Sequence, residues 1–222
     1  MFNKKHLTVA VINEKLLIKS MKPIFMAVTI LTVLVFPVIF LMLYKNQPDM
    51  CYGNIIELSQ YCFPFFSSLL TAFVLRNYIE HYHCEIYFLY SKTKFKESLL
   101  ILFVYLIELI FPLLTCIYID HNMVYEFIRV FCQCAFFSAL AYSLVFITMS
   151  IPMSVAALFI YLIVSIYNIG DYFKIFIFCS YEEMNSDNII KTVLQLISSS
   201  FVLYVIGIIS NLFRSKRYCS GL

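Results

Sequence analysis

The sequence predicts an all-α, polytopic membrane protein with six transmembrane helices and cytoplasmic N- and C-termini, and three observations carry that prediction. Apolar and aromatic residues make up 62% of the 222 residues and charged residues 13%, against about 45–50% and 25% in a soluble domain. One domain of this size cannot hide so much apolar surface from water. The apolar residues are gathered into long stretches, and lysine and arginine gather on alternate connections between them. The whole chain, 1–222, reads as a single transmembrane domain.

A helix needs about 20 residues to cross about 30 Å of hydrocarbon. The stretches that meet this are Ile24 to Tyr44, Ser59 to Tyr78, Leu99 to Ile119, Phe127 to Met149, Ile151 to Ile169 and Val193 to Phe213. The second is the least uniform, with an apolar and hydroxylic core from Tyr61 to Leu75. Only Ser150 separates the fourth from the fifth, and with Pro152 just beyond it the spacing predicts a tight turn into a new helix. Backbone groups in hydrocarbon must be satisfied within the segment, which selects helices; no repeated ten-residue alternation points to a barrel.

Counting basic residues orients the bundle. Twelve lie on one side: Lys4, Lys5, Lys15, Lys19, Lys22, Arg76, Lys92, Lys94, Lys96, Arg214, Lys216 and Arg217. Four lie on the other: Lys45, Arg129, Lys174 and Lys191. The richer side is expected to be cytoplasmic, which puts both termini inside. Tyr44, Tyr61, Tyr78, Tyr118, Tyr125 and Tyr172 fall near the predicted interfaces and read as membrane anchors in a chain without tryptophan.

Three connecting segments have patterns of their own. Residues 6–22 place Leu7, Val11, Leu16 and Leu17 among lysines, which predicts an amphipathic helix lying along the inner interface. In the inner loop, 77–97, Ile79, Tyr82, Ile86, Leu89 and Tyr90 recur every three or four residues while Glu80 and Glu85 fall off that stripe. Lys92, Lys94 and Lys96 then read as a basic anchor at the membrane surface. The outer segment 170–192 holds an aromatic run, Tyr172, Phe173 and Ile175 to Phe178, too short to span. It reads either as a partly embedded helical hairpin or as an extended exit from the fifth span. Asn185, Ser186 and Asp187 read as a cap and a new helical start.

The chemistry is sparse. The four histidines lack H-E-x-x-H spacing, and His81 and His83, two residues apart, would face different sides of a helix. Only four glycines are present, so the chain carries neither a phosphate-cradling loop nor a dinucleotide fingerprint. A membrane-embedded enzyme is therefore the least favoured reading, and no cofactor or metal is expected on this chain. The small net charge of +3, carried at span ends, disfavours nucleic acid. Eight cysteines are present; Cys62, Cys116, Cys132 and Cys134 lie in apolar runs and read as small hydrophobes. Pro37, Pro64, Pro112 and Pro152 read as bends or helix starts.

Glu108 is the acidic residue well inside a predicted span. A charge at the membrane centre costs about 2.5–3.5 kcal/mol on insertion scales, so Glu108 is expected to face protein or a water-filled path. Displacement toward the outer interface is the alternative. With Tyr172, Phe173 and Phe176 it forms a candidate translocation pathway suited to an amphiphile with a cationic group.

The order of spans, the amphipathic leader, the inner loop after the second span, the tight turn before the fifth and the interrupted outer segment before the sixth together resemble the membrane subunit of an ABC-2 type transporter, of the compact bacterial peptide or bacteriocin exporter kind. The local resemblance lies in NYIEHYHCEIYFLYSKTKFKESLLIL, Asn77 to Leu102, where Glu80 and Glu85 match an acidic part, Ile86 to Tyr90 an apolar part and Lys92 to Lys96 a basic lead into the third span. The glycine-threonine pair frequent in that family is absent. The resemblance implies a coupling helix, with Ile79, Glu80, Tyr82, Glu85, Ile86 and Leu89 against a separate ATP-binding subunit that carries ATP and magnesium. It also implies a second permease copy or similar subunit, a peptide or other amphiphilic substrate, and a place in the bacterial cytoplasmic membrane among its lipids. The competing reading is a noncatalytic membrane protein of immunity, sensing or assembly.

Overall fold

A computed structural model describes residues 23–46, 48–79, 94–166 and 186–220. Among these the chain is helical apart from short turns, with no strand. The helices are α1 (Pro23–Asn46), α2 (Pro48–Ile79), α3 (Lys94–Ile119), α4 (Met123–Thr148), α5 (Ile151–Ile166) and α6 (Ser186–Ser220). Five of them contain a stretch long and apolar enough to cross a membrane: Pro23–Asn46, Cys51–Arg76, Lys94–Ile119, Met123–Thr148 and Ile189–Arg214. The predicted fifth span is apolar throughout as α5, but its 16 described residues rise only about 24 Å. The predicted amphipathic helix over 6–22 and the outer segment as far as residue 185 lie outside the described residues, as do Lys92 and residues 80–91 of the inner loop.

α4 is the axis of the bundle, packing against α2, α3, α5 and α6. It and α2 are mostly buried, whereas α1, α3 and α6 turn most of their apolar side chains outward. Leu34, Leu100, Phe103, Leu114, Ile160 and Phe201 are among the large side chains left exposed. A soluble fold buries such residues; here their solvent is lipid.

Local chemistry accounts for the interruptions. Pro37 has no N–H to donate and its ring crowds the carbonyl of Val33, and just before it the backbone widens into a π-helical turn, Leu31–Val35, in which the Phe36 N–H donates to the Leu31 carbonyl. Pro112 likewise cannot donate to the Glu108 carbonyl four residues earlier, and α3 breaks at Leu109 into Lys94–Glu108 and Ile110–Ile119. The turn from α3 to α4 is fixed by Asp120, whose side chain accepts the Asn122 N–H at 2.9 Å. α4 ends where Met149 takes a left-handed conformation, φ 54°, and its N–H donates to the Val145 carbonyl. Hydroxyls of Thr148 and Ser154, 2.8 Å apart, tie that turn to α5. Met149 leaves the helix as well as Ser150, so the turn is one residue longer than the sequence predicts.

Three apolar clusters fill the interior. At one end Phe36 and Phe40 of α1, Phe63 of α2 and Phe127 of α4 interlock, with the Phe36 and Phe63 centroids 4.8 Å apart. At the other end Phe95, Tyr142, Phe146 and Tyr204 stack around α3, α4 and α6. A third, around Phe137, Ala141, Leu158 and Leu162, joins α4 to α5. Gly207 brings α6 flush against α4: a Cβ there would lie 2.5 Å from Tyr142 Cδ1 and 3.1 Å from the Ser143 Cα. This is the small-residue close approach by which helices associate in lipid, where apolar surface alone gives no preference for protein over acyl chain.

Candidate functional site

Four polar assemblies lie within the bundle, and they differ in how completely their groups are satisfied. The first is a hydroxyl chain between α2, α4 and α6. Ser67 donates to the Cys134 carbonyl at 2.9 Å, Thr71 and Ser138 share a hydrogen bond of 2.8 Å, and Ser138 meets the Tyr204 hydroxyl at 3.0 Å. Ser67 and Thr71 are four apart on α2, and Cys134 and Ser138 four apart on α4, so each pair occupies one face. The serines and threonines inside the second and fourth apolar stretches were the available sequence signal for this seam.

The second is a buried ion pair. Glu126 and Arg129, one turn apart on α4, are each only 2% exposed and in direct contact. The sequence counts Arg129 with the outer side, at the start of a span that begins at Phe127. The structure corrects this: α4 begins at Met123, so the pair lies in its first two turns and is covered by the bundle. A guanidinium carrying its own carboxylate one turn away can be buried there because the pair is locally neutral.

The third corrects the basic anchor. Lys94 is 3% exposed, and its Nζ donates to Asn211 Oδ1 at 3.0 Å. It stands 5.8 Å from the centroid of Tyr78 and 5.7 Å from that of Phe146. The ring faces offset part of the hydration the ammonium gives up on burial. Tyr78 is likewise no interfacial anchor; it is buried and gives its hydroxyl to Glu97 at 2.5 Å. Tyr118, 81% exposed at the far end of α3, fits the anchor role. Arg214 closes the same end by donating to the Ile147 carbonyl of α4 at 3.1 Å.

The fourth assembly contains Glu108. Thr29 of α1 donates to its Oε1 at 2.9 Å; Oε2 is closed off from solvent and has no hydrogen-bond partner among the described residues. One turn earlier on α3 the wholly buried Tyr105 gives its hydroxyl to the Phe63 carbonyl of α2 at 3.1 Å. Thr32, buried within the π-turn of α1, faces Tyr105. Thr29 and Thr32 thus oppose Glu108 and Tyr105 with matched spacing of three, forming one polar strip between α1 and α3. The proline-induced irregularities of both helices border this strip.

Of the other predicted site residues, Ile79 ends α2 and packs on the aromatic cluster beside Lys94. Glu80, Tyr82, Glu85, Ile86, Leu89, Tyr172, Phe173 and Phe176 lie outside the described residues. The described cysteines Cys51, Cys62, Cys116, Cys132 and Cys134 are free thiols, and no cluster of metal-ligating side chains occurs among the described residues. Comparison with protein families, curated proteins and solved structures finds no match for this chain.

Proposed function

We propose that this chain is the permease subunit of an ATP-driven exporter of the ABC-2 type, moving a peptide or other amphiphile across a bacterial cytoplasmic membrane. The observation that carries the reading is the antiparallel course of the helices. The C-terminal ends of α2, α4 and α6 meet the N-terminal end of α3 through Tyr78–Glu97, Lys94–Phe146 and Lys94–Asn211, and Arg214–Ile147 joins α6 to α4 at the same end. The connection 80–93 therefore leaves and re-enters at the same end as Arg76, Lys96 and Arg214, and that basic end is read as cytoplasmic. A separate ATP-binding subunit then docks on this connection, with Ile79, Tyr82, Ile86 and Leu89 as the apolar stripe and Glu80 and Glu85 as polar contacts. In this reading α5 is the fifth of six crossings, and a second permease copy or a similar subunit flanks the path to which Glu108 belongs.

The chain itself hydrolyses no nucleotide in this reading. The test is reconstitution of the chain, its candidate ATPase and both together in liposomes, following ATP hydrolysis and movement of cationic amphiphilic peptides. Movement only in the combined sample, with ATPase copurification lost in the Tyr82→Ala/Ile86→Ala double variant, is the expected result. A complex that binds peptide without moving it would replace export by an immunity or sensing role.

A further inference from the structure

We propose that Glu108 is a proton-binding site within the bilayer, held in the strip between α1 and α3. Its ligand is a proton, not a metal or an organic cation, and the proposal stands apart from any transport reaction.

Oε1 accepts one hydrogen bond from Thr29; Oε2 is shut away from solvent with no donor directed at it among the described residues. An ionised carboxylate has about four acceptor sites and takes several donors or a cation when it is buried. Here the described surroundings supply one hydroxyl donor. α1 brings Thr29 and Thr32, neither of which titrates; α3 brings Tyr105; α2 and α4 bring Cys62 and Cys134 to the Tyr105 side of the strip. Tyr105 is engaged with the Phe63 carbonyl, and the buried ion pair of the bundle joins Glu126 to Arg129 instead. A charge so poorly matched in hydrocarbon is removed most directly by protonation, and a proton needs no cavity.

Position supplies the second half. Glu108 is half-buried at the rim of the bundle, between the lipid-facing side chains of Ile107 and Phe111. Its backbone carbonyl is the one Pro112 leaves without its helical donor, and α3 breaks at the next residue. Part of the Glu108 side chain is thus exposed on the lipid-facing margin of α3, beside the covered Oε2.

A hydrophobic carbodiimide tests this directly, because the acid must first give its proton to a carbodiimide nitrogen. The carboxylate oxygen then adds to the central carbon, and acyl transfer to nitrogen leaves a stable N-acylurea with no group expelled. The full chain in lipid vesicles is treated with dicyclohexylcarbodiimide across a series of pH values and mapped by mass spectrometry. One adduct at Glu108, declining as pH rises and lost in Glu108→Gln, is expected. In parallel, the infrared difference between wild type and Glu108→Gln is expected to contain the carbonyl stretch of a protonated acid, which reports the proton even where the reagent is slow. Equal labelling in Glu108→Gln, labelling of Glu108 independent of pH, or absence of both the adduct and the infrared band overturns the proposal.

Discussion

Glu126 sits one turn from its guanidinium, wholly covered, on the helix that packs against α2, α3, α5 and α6; Glu108 sits half-buried on α3 at the rim, with a threonine hydroxyl where a cation would be needed. The two carboxyls belong to neighbouring helices and face the same low-dielectric surroundings. The first has been made part of the packing: its charge is cancelled locally by the guanidinium one turn away. The second has been left chemically unfinished, between two helices that are themselves irregular. The axis of this bundle is therefore built for permanence, and the outer layer of α1 and α3 retains a group that can change state.

The largest effect is expected from Arg129→Leu. It removes the guanidinium beside the buried Glu126 carboxylate and is expected to cost about 3–5 kcal/mol, read as a lower thermal midpoint of the purified chain in detergent. Arg129→Leu/Glu126→Leu is expected to recover most of the loss. A double variant no more stable than the single one would show that the pair is not the clamp described. Gly207→Leu addresses the same axis without touching a charge. The new side chain meets Tyr142 and the Ser143 backbone and is expected to cost about 1–3 kcal/mol. Tyr142→Ala in the same chain should return part of it, as non-additivity in a mutant cycle. Glu108→Gln is the smallest of the three. Gln keeps an acceptor for Thr29, so the midpoint is expected to shift by the equivalent of less than about 1 kcal/mol. A loss as large as that of Arg129→Leu would make Glu108 a structural group like Glu126.

Much of this was legible from the sequence, for reasons that differ by region. Span positions follow from length and hydropathy, and five of the six predicted stretches fall on helices that meet the crossing criteria, the fourth overrunning its helix by Met149 alone. Glu108 stood out because it is an acid inside an apolar run, and Pro37 and Pro112 announced irregularity because an absent N–H acts locally. Lys94 and Arg129 were misjudged because charge counts near a span end say nothing of what folds over that end. Lys94 is buried by Tyr78, Phe146 and Asn211 from three other helices, contacts far apart in sequence. Glu126 and Arg129 do carry the i, i+3 spacing of a helical pair, and that spacing was the missed signal. Gly207 and Ser138 meet their partners only once α4 and α6 are docked, so nothing short of the tertiary arrangement distinguishes them from other small residues.

The length of α6 has a mechanical consequence. Its 35 residues form one uninterrupted helix, about 52 Å from end to end, and the hydrocarbon occupies only about 30 Å of that. Unlike α1 and α3, it contains no proline or helical break to act as a joint. It is fastened to α4 at Tyr204, Gly207 and Arg214 and to α3 at Asn211, attachments spread over about 15 Å of its axis. A displacement of the end that carries Arg214 is therefore shared with α3 and α4 and does not turn α6 alone.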